Sequence, residues 1–295
     1  MENKGKVDDL HHLGLMTRDF ETTFATYESL GFVLTPLSIH QWSDRPGVPV
    51  RPSGSGNRCA LFQRNYLEIN AHFGTPDPAN ANHARRERWL AAYDGLHIIC
   101  FNSEDMAGFD VQLRDAGIAS SGVVRLERDV DTPEGKRTAA FERVVRPDSG
   151  GPEELLQAAR HLTPQYIFQS RWQAHPNGSV AMTDAIFCVA DPDAYARIYA
   201  AATGHAVVRE GARRIVRLET SRVTIVGPED LDAAIPGAEP LALPCIAGFG
   251  VGTRDLATTE SFLRGRGVPV TRAGDKVIVP AAAARGAAIL FEAAA

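Results

Sequence analysis

Four cysteines in 295 residues leave little room for disulfide or cysteine-metal chemistry. Cys59, Cys100, Cys188 and Cys245 lie far apart and form no CxxC pair, which excludes a disulfide framework and a zinc ribbon. Cys100 and Cys188 sit within apolar strands and read as reduced, buried thiols. No apolar run approaches the ~18 residues of a membrane span. The first residues, Met1 to Asp9, are polar and acidic, unlike a signal peptide. A cytoplasmic protein is therefore expected. There is no long basic run and the net charge is −5, which argues against a nucleic-acid partner. GxGxxG, P-loop and GxSxG motifs are missing as well. Gly54-Ser55-Gly56 leads into a strand and reads as a loop.

What the chain does have is a recurring strand. It reads Leu10-His11-His12-Leu13-Gly14-Leu15 near the start and returns as Gly95-Leu96-His97-Ile98-Ile99-Cys100. It returns again, without histidine, at Thr183-Asp184-Ala185-Ile186-Phe187 and at Ala247-Gly248-Phe249-Gly250-Val251. Each copy runs into an acidic helix cap (Asp19, Glu104, Asp191, Asp255) and then an amphipathic helix. Strands follow each helix. The pattern predicts an α+β protein of four βαβββ modules, pairing into two pseudo-symmetric curved mixed sheets with open clefts and outer helices.

Two domains are expected. Residues 1–175 would hold the first pair of modules, about 8–75 and 93–172, and residues 176–295 the second pair, about 180–227 and 244–292. In the second module, strands are expected near Val123–Glu127 and Thr138–Val145. A long excursion, Arg146–Pro164, with a helix-like stretch at Glu153–Arg160, would precede the last strand at Tyr166–Trp172. Gln41–Gly56 reads as a loop, and this loop and the excursion would shape the pocket mouth.

Strand alternation selects the candidate chemistry. Leu13, Leu15, Leu67 and Ile69 belong under helices, with Leu96 and Ile98 beside them. That leaves His12, Tyr66, Glu68 and His97 facing the cleft. Two imidazoles and a carboxylate on rigid strands suit a divalent metal. Gln169, alternating with Tyr166 and Phe168, is a neutral fourth candidate. His11 would point to the opposite face. Arg64, Arg171 and Trp172 could bind an anionic or aromatic substrate, and His161 could contact it from a lid. His175 reads as a turn residue.

On these residues the chain resembles the vicinal oxygen chelate superfamily, and within it the glyoxalase-like domain proteins. The carriers are the opening Leu10–Leu15 motif, the helix ending Ser29-Leu30-Gly31-Phe32, Tyr66-Leu67-Glu68-Ile69, and Trp172-Gln173-Ala174-His175-Pro176-Asn177-Gly178. The resemblance implies one divalent ion (Zn, Ni, Mn, Co or Fe) on His12, Glu68, His97 and Gln169, with Glu68 able to move a proton. It implies a metal-dependent isomerase or lyase that chelates neighbouring oxygens of a small substrate and stabilises an enolate. A set reduced to His12, His97 and Glu68 would instead suit an Fe(II) extradiol-type dioxygenase, and a metal-free cleft an antibiotic-type binding protein. Asp184 and Gly248 at the histidine position imply a metal-free second pair. A monomer and a homodimer both satisfy the pairing.

Overall fold

The computed structural model describes residues 5–42, 49, 51–73, 80–146 and 155–294. The first unit is β1 (Asp9–Thr17), α1 (Phe20–Ser29), β2 (Ser38–Trp42), β3 (Arg51–Leu61) and β4 (Tyr66–His72). The loop expected at Gln41–Gly56 is shorter, because β2 and β3 take up both its ends; residues 43–48 and 50 lie outside the described residues. A connecting helix, α2 (Ala81–Ala92), leads to the second unit: β5 (Gly95–Asn102), α3 (Met106–Asp115), β6 (Val124–Thr132), β7 (Gly135–Val145) and β8 (Leu155–His161). Then come a single turn, α4 (Pro164–Ile167), and a 3-10 turn, Ser170–Trp172. The third unit is β9 (Ser179–Cys188), α5 (Pro192–Thr203), β10 (Val207–Glu210), β11 (Arg213–Arg217) and β12 (Arg222–Val226). After the short α6 (Leu231–Ala234), the fourth is β13 (Cys245–Thr253), α7 (Leu256–Gly265), β14 (Thr271–Ala273), β15 (Lys276–Val279) and β16 (Ala288–Ala293). Among the described residues no helix is long and apolar enough to cross a membrane. The four cysteines are free and buried.

Helices α3, α5 and α7 start where short acidic side chains accept their first free N–H groups, whereas Asp19 holds the cap position of α1 without a side-chain cap bond. Asp105, Asp191 and Asp255 accept from Gly108, Ala194 and Thr258 at 2.8, 2.9 and 2.8 Å. In the second unit the cap is therefore Asp105 and not Glu104, a shift of one residue that matters for the site. Helix α1 buries Thr23, Phe24 and Tyr27 and is followed by Gly31 at φ +85°, a left-handed conformation suited to glycine.

The strands form one mixed, unclosed sheet in the order β10-β11-β12-β9-β13-β5-β1-β4-β3-β2, with β14–β16 and β6–β8 on branches. β1 lies between parallel β4 and antiparallel β5. β13 lies likewise between parallel β16 and antiparallel β9. The two halves of the sheet meet where Ile246 of β13 pairs with Leu96 of β5. The helix-side residues of all four units, among them Leu13, Leu67, Phe101, Phe187, Phe249 and Phe291, make one contiguous core. The halves also touch through their helices, where Gln112 Nε2 donates to the Ala202 carbonyl at 2.7 Å.

Two features depart from the sequence expectation. The last strand of the second unit is β8, Leu155–His161, paired with β5 and β7; the stretch expected as that strand, Tyr166–Trp172, is a pair of short helical turns. The excursion expected at Arg146–Pro164 therefore contains β8, and its residues 147–154 lie outside the described residues. The β1–β5 pairing also carries two bulges. Leu10 pairs with Phe101 and His12 with Cys100, leaving His11 as the extra residue. Gly14 pairs with Ile98 and Leu15 with Leu96, leaving His97 as the extra residue on the other strand.

Candidate functional site

The bulges decide which side chains meet. Counting back the same distance from the caps Asp19 and Asp105 reaches His12 in β1 and Ile98 in β5. The register agrees, since His12 opposite Cys100 and Gly14 opposite Ile98 are reciprocal pairs. The repeat thus matches His12 with Ile98, and His11 with His97. A one-residue slip reverses the face of every following side chain, which explains the mismatch with simple alternation. Ile98 packs on the cleft side with Met16, Trp89 and Leu90, instead of under a helix. Gly14 leaves room for it: a Cβ there would sit 2.7 Å from Ile98 Cβ.

His97 is fully buried elsewhere. Its ring stacks on Tyr93 at 4.1 Å and Trp89 at 5.6 Å between centroids. Its Nε2 donates to the Tyr93 carbonyl at 2.9 Å. The residue opposite His12 is Cys100, three positions along β5 and therefore roughly 10 Å from His97 in strand length. Gln169 is also elsewhere. Its Nε2 donates to the carbonyls of Asp131 and Tyr166 at 3.0 and 2.8 Å, tying a helical turn to the β6–β7 hairpin.

Gln157 takes the place foreseen for Gln169. His12 lies beside Tyr66 and Gly14 beside Glu68 on β4; correspondingly, Ile98 lies beside Leu155 and Cys100 beside Gln157 on β8. Gln157 is therefore the counterpart of Glu68. Its side-chain nitrogen lies 3.1 Å from His12 Nε2, and Glu68 Oε2 lies 3.9 Å from that same nitrogen. His11 joins them, against expectation, because its bulge turns it into the cleft. His11 Nδ1 and His12 Nδ1 are 2.8 Å apart. The arrangement that satisfies both bonds has His12 Nδ1–H donating to His11, leaving the His12 Nε2 lone pair facing Glu68 and Gln157.

The charge states follow from burial. His12 is held below the usual histidine range by burial, which outweighs the Glu68 carboxylate, with Arg143 adding to the lowering. His11 is driven further down by burial and by the facing rings of His12 and His161. Burial would raise the Glu68 carboxyl, but His12, His40, the nearby Asn70 amide and the hydrogen bond from Asn57 overcome it and hold the group low. Two neutral imidazoles beside a carboxylate are the protonation states that metal binding requires.

Aromatic rings wall the site. Tyr66 stacks on His12 at 4.8 Å and 16°. His161 lies 4.6 Å from His11, with Phe168 at 5.5 Å from His161 and 6.4 Å from Tyr66. Burial pushes the His161 imidazole down to about 4, with His12 and Arg128 helping. His161 thus reaches the cleft as the last residue of a strand, and not from a helix end. Of the other expected contacts, Arg64 is exposed in the turn between β3 and β4. Arg171 donates to the Asp131 carbonyl at 2.9 Å and stacks on Trp172 at 5.0 Å. Neither arginine is among the residues around His12.

A cation could be held here. Two protein atoms each about 2.1 Å from one ion lie about 3 to 4 Å apart, and His12 Nε2 and Glu68 Oε2 meet that spacing at 3.9 Å. A half-turn of the Gln157 carboxamide would present its oxygen at the same place. Glu68 is backed by a short hydrogen bond from Asn57 Nδ2 and His12 by His11, so the donors have orienting partners. His12, Glu68 and Gln157 fit a metal; the fourth position of the repeat, Ile98, supplies no donor.

The second pair of units fills the corresponding cleft with charge. Asp184 stands where His12 does, and accepts from Arg222 Nε at 2.7 Å and Thr224 Oγ1 at 3.0 Å. Arg222 reaches Glu292 at 3.3 Å, and Lys276 Nζ lies 2.7 Å from the same carboxylate. These groups line a cavity of about 410 Å³. Arg222→Ala would leave Asp184, 4% exposed, without its cation, and is expected to cost about 2–4 kcal/mol in urea denaturation. An unchanged midpoint would show that the pair adds nothing.

Comparison with known proteins places this geometry. A search of curated proteins by sequence found no match. A hypothetical protein from Staphylococcus aureus shares the fold at a TM-score of 0.64 and 9% identity, over 96% of this chain and 98% of that one. A mutant 4-hydroxymandelate synthase from Streptomyces coelicolor aligns at 0.53 and 15% identity, over 94% of this chain and 78% of that one. An extradiol ring-cleaving dioxygenase from B. fuscum aligns at 0.53 and 11% identity, over 98% of this chain and 72% of that one. At such identities the likeness shows the fold alone. The sequence profile of the glyoxalase-like domain matches residues 10–203, spanning the His12 cleft, and the chain belongs to the glyoxalase-like domain family.

Proposed function

We propose that the cleft of the first two units is a divalent-metal-dependent active site of isomerase or lyase type, acting on a small organic substrate with two neighbouring oxygens. The observation that carries this is the convergence of Glu68 and Gln157 on the unprotonated Nε2 of His12. A metal bound there supplies Lewis acidity toward the substrate's oxygens.

The chain's own residues do the rest. His11 fixes the His12 tautomer through the 2.8 Å bond between their Nδ1 atoms. Asn57 holds Glu68 at Oε1, and among the described residues this carboxylate is the nearest acidic group to the cleft histidines able to accept a proton from substrate carbon. Tyr66, His161 and Phe168 form a wall against which a flat substrate can lie. With its pKa near 4, His161 offers substrate a neutral imidazole at pH 7.

A second reading, an oxygen-using ring-cleaving enzyme, is favoured by the fold shared with an extradiol ring-cleaving dioxygenase. It is weakened by the placement of His97, since Ile98 holds the position that a second imidazole would need. The deciding experiment is elemental mass spectrometry on protein purified without tag or chelator, followed by oxygen uptake with a catechol. Zinc, nickel, cobalt or manganese retained through His12 supports isomerase or lyase chemistry. Iron with catechol-dependent oxygen uptake supports the second reading. Failure to retain or take up any of these ions through His12 rejects both and leaves a ligand-binding cleft.

A further inference from the structure

The far end of β4 holds a second set of ligand atoms. His72 ends β4, on the face that carries Tyr66 and Glu68. His83 and Glu87 stand one turn apart on α2, where residues four apart share a helix face. His72 Nε2 lies 2.5 Å from Glu87 Oε1, His83 Nε2 lies 3.8 Å from that oxygen, and the two rings are 4.6 Å apart. One ligand atom from each residue falls within 4.8 Å of the others.

Burial adds a second, independent observation. The His72 and His83 side chains are 4% and 6% exposed, whereas Glu87 is 41% exposed and opens the cluster to solvent. Among the described residues, His83 Nε2, aimed at the carboxylate, is buried without a hydrogen-bond partner, and so is His72 Nδ1. Buried polar atoms ordinarily find partners, and an unsatisfied one calls for an explanation such as an ion. Two imidazoles and one carboxylate, with a side open to water, form the donor set of an open zinc-type site.

We propose that His72, His83 and Glu87 form a second divalent-cation site, separate from the His12 cleft, that takes a borderline transition ion such as zinc. Arg18 is its built-in competitor: the guanidinium donates to both Glu87 oxygens at 3.0 and 2.9 Å. Asp94, whose carboxylate already accepts from the Arg18 backbone N–H at 3.2 Å, offers Arg18 another anionic partner when Glu87 turns to the ion. Binding replaces the proton between His72 and Glu87 and gives His83 Nε2 its missing partner. The site does not depend on the proposed function, since none of its ligands belongs to the His12 set.

The test strips the full-length protein with chelator, returns zinc alone, and counts bound zinc after gel filtration. It uses His12→Ala as background, so that only the second site is read. His12→Ala should still bind about one zinc. Adding His83→Ala or Glu87→Gln should abolish that uptake, and adding Arg18→Ala should tighten it by about tenfold or more. Glu87→Gln keeps the shape of the side chain and guards against a folding artefact; cobalt reconstitution should give a visible absorption band that it removes. No uptake in the His12→Ala background, or uptake indifferent to His83 and Glu87, overturns the proposal. Loss of zinc from the wild-type cleft alone overturns the proposed function instead.

Discussion

His12→Ala is expected to weaken divalent-metal binding in the first cleft by at least about 100-fold. Removing even an orienting partner of a ligand typically costs 10–100-fold, and His12 is the donor on which Glu68 and Gln157 converge. The rest of the series should grade around it. Glu68→Gln removes the only carboxylate beside His12 Nε2 among the described residues and should match His12→Ala. Gln157→Ala removes a neutral donor and should cost about tenfold. His11→Ala frees the His12 tautomer and should fall in the range of an orienting partner, about 10–100-fold. His97→Ala should leave affinity unchanged, because that ring is stacked between Trp89 and Tyr93. Competition titration with a chromophoric chelator reads each value. Should His97→Ala prove as damaging as His12→Ala, the register argument for the site fails.

Acid should destabilise the protein through histidines that are buried neutral, and His175 should show it most clearly. His175 is 3% exposed. Its Nδ1 accepts from the Val33 N–H at 2.9 Å and its Nε2–H donates to the Leu61 carbonyl at 3.0 Å. Phe32 and Phe62 pack on the ring at 5.8 and 5.2 Å. Protonation would cancel the Val33 bond. Burial brings the imidazole down to about 4; the Leu61 carbonyl opposes the shift and Arg254 adds to it. The unfolded chain takes up a proton near the ordinary value of about 6.5, and the folded chain does not until about 4. Stability from this residue is therefore complete above about 6.5, falls with pH, and is spent by about 4, for a total of about 3 kcal/mol.

His175→Ala leaves a buried N–H and a buried carbonyl without partners. It is expected to cost about 2–5 kcal/mol at pH 7.5. The gap between wild type and variant should narrow by about 3 kcal/mol between pH 7.5 and 4. Urea denaturation at both pH values measures it. A gap that does not change with pH would mean that His175 is not held neutral.

The sequence carried the repeat plainly, because helix caps and strand alternation are local signals. Asp191 and Asp255 cap as expected, and His12 and Glu68 share a face as expected. The remainder depended on pairing between strands. A bulge is a property of two strands, so nothing in Leu10–Leu15 alone announces that His11 is the extra residue. The same is true of His97. β8 hid for a different reason. Gln157, Ala158, Ala159 and Arg160 favour helix over strand, and the pairing with β5 on one side and β7 on the other overrides that preference. Moving that strand moved the fourth candidate from Gln169 to Gln157. The Asp105 cap was the one available clue: counting from it, and not from Glu104, sets Ile98 and not His97 opposite Gly14.

The segment between the two halves has its own consequence. Gln173 Nε2 donates to the Phe62 carbonyl at 2.7 Å, His175 bonds Val33 and Leu61, and Asn177 Nδ2 donates to the Leu30 carbonyl at 2.9 Å. A passage that reads as a linker is thus riveted along its length to the first unit. Lifting this passage off the first unit would break all of these contacts at once. Beside the His12 cleft, the turn that carries Phe168 is likewise tied to the β6–β7 hairpin by Gln169 and Arg171 on the Asp131 carbonyl.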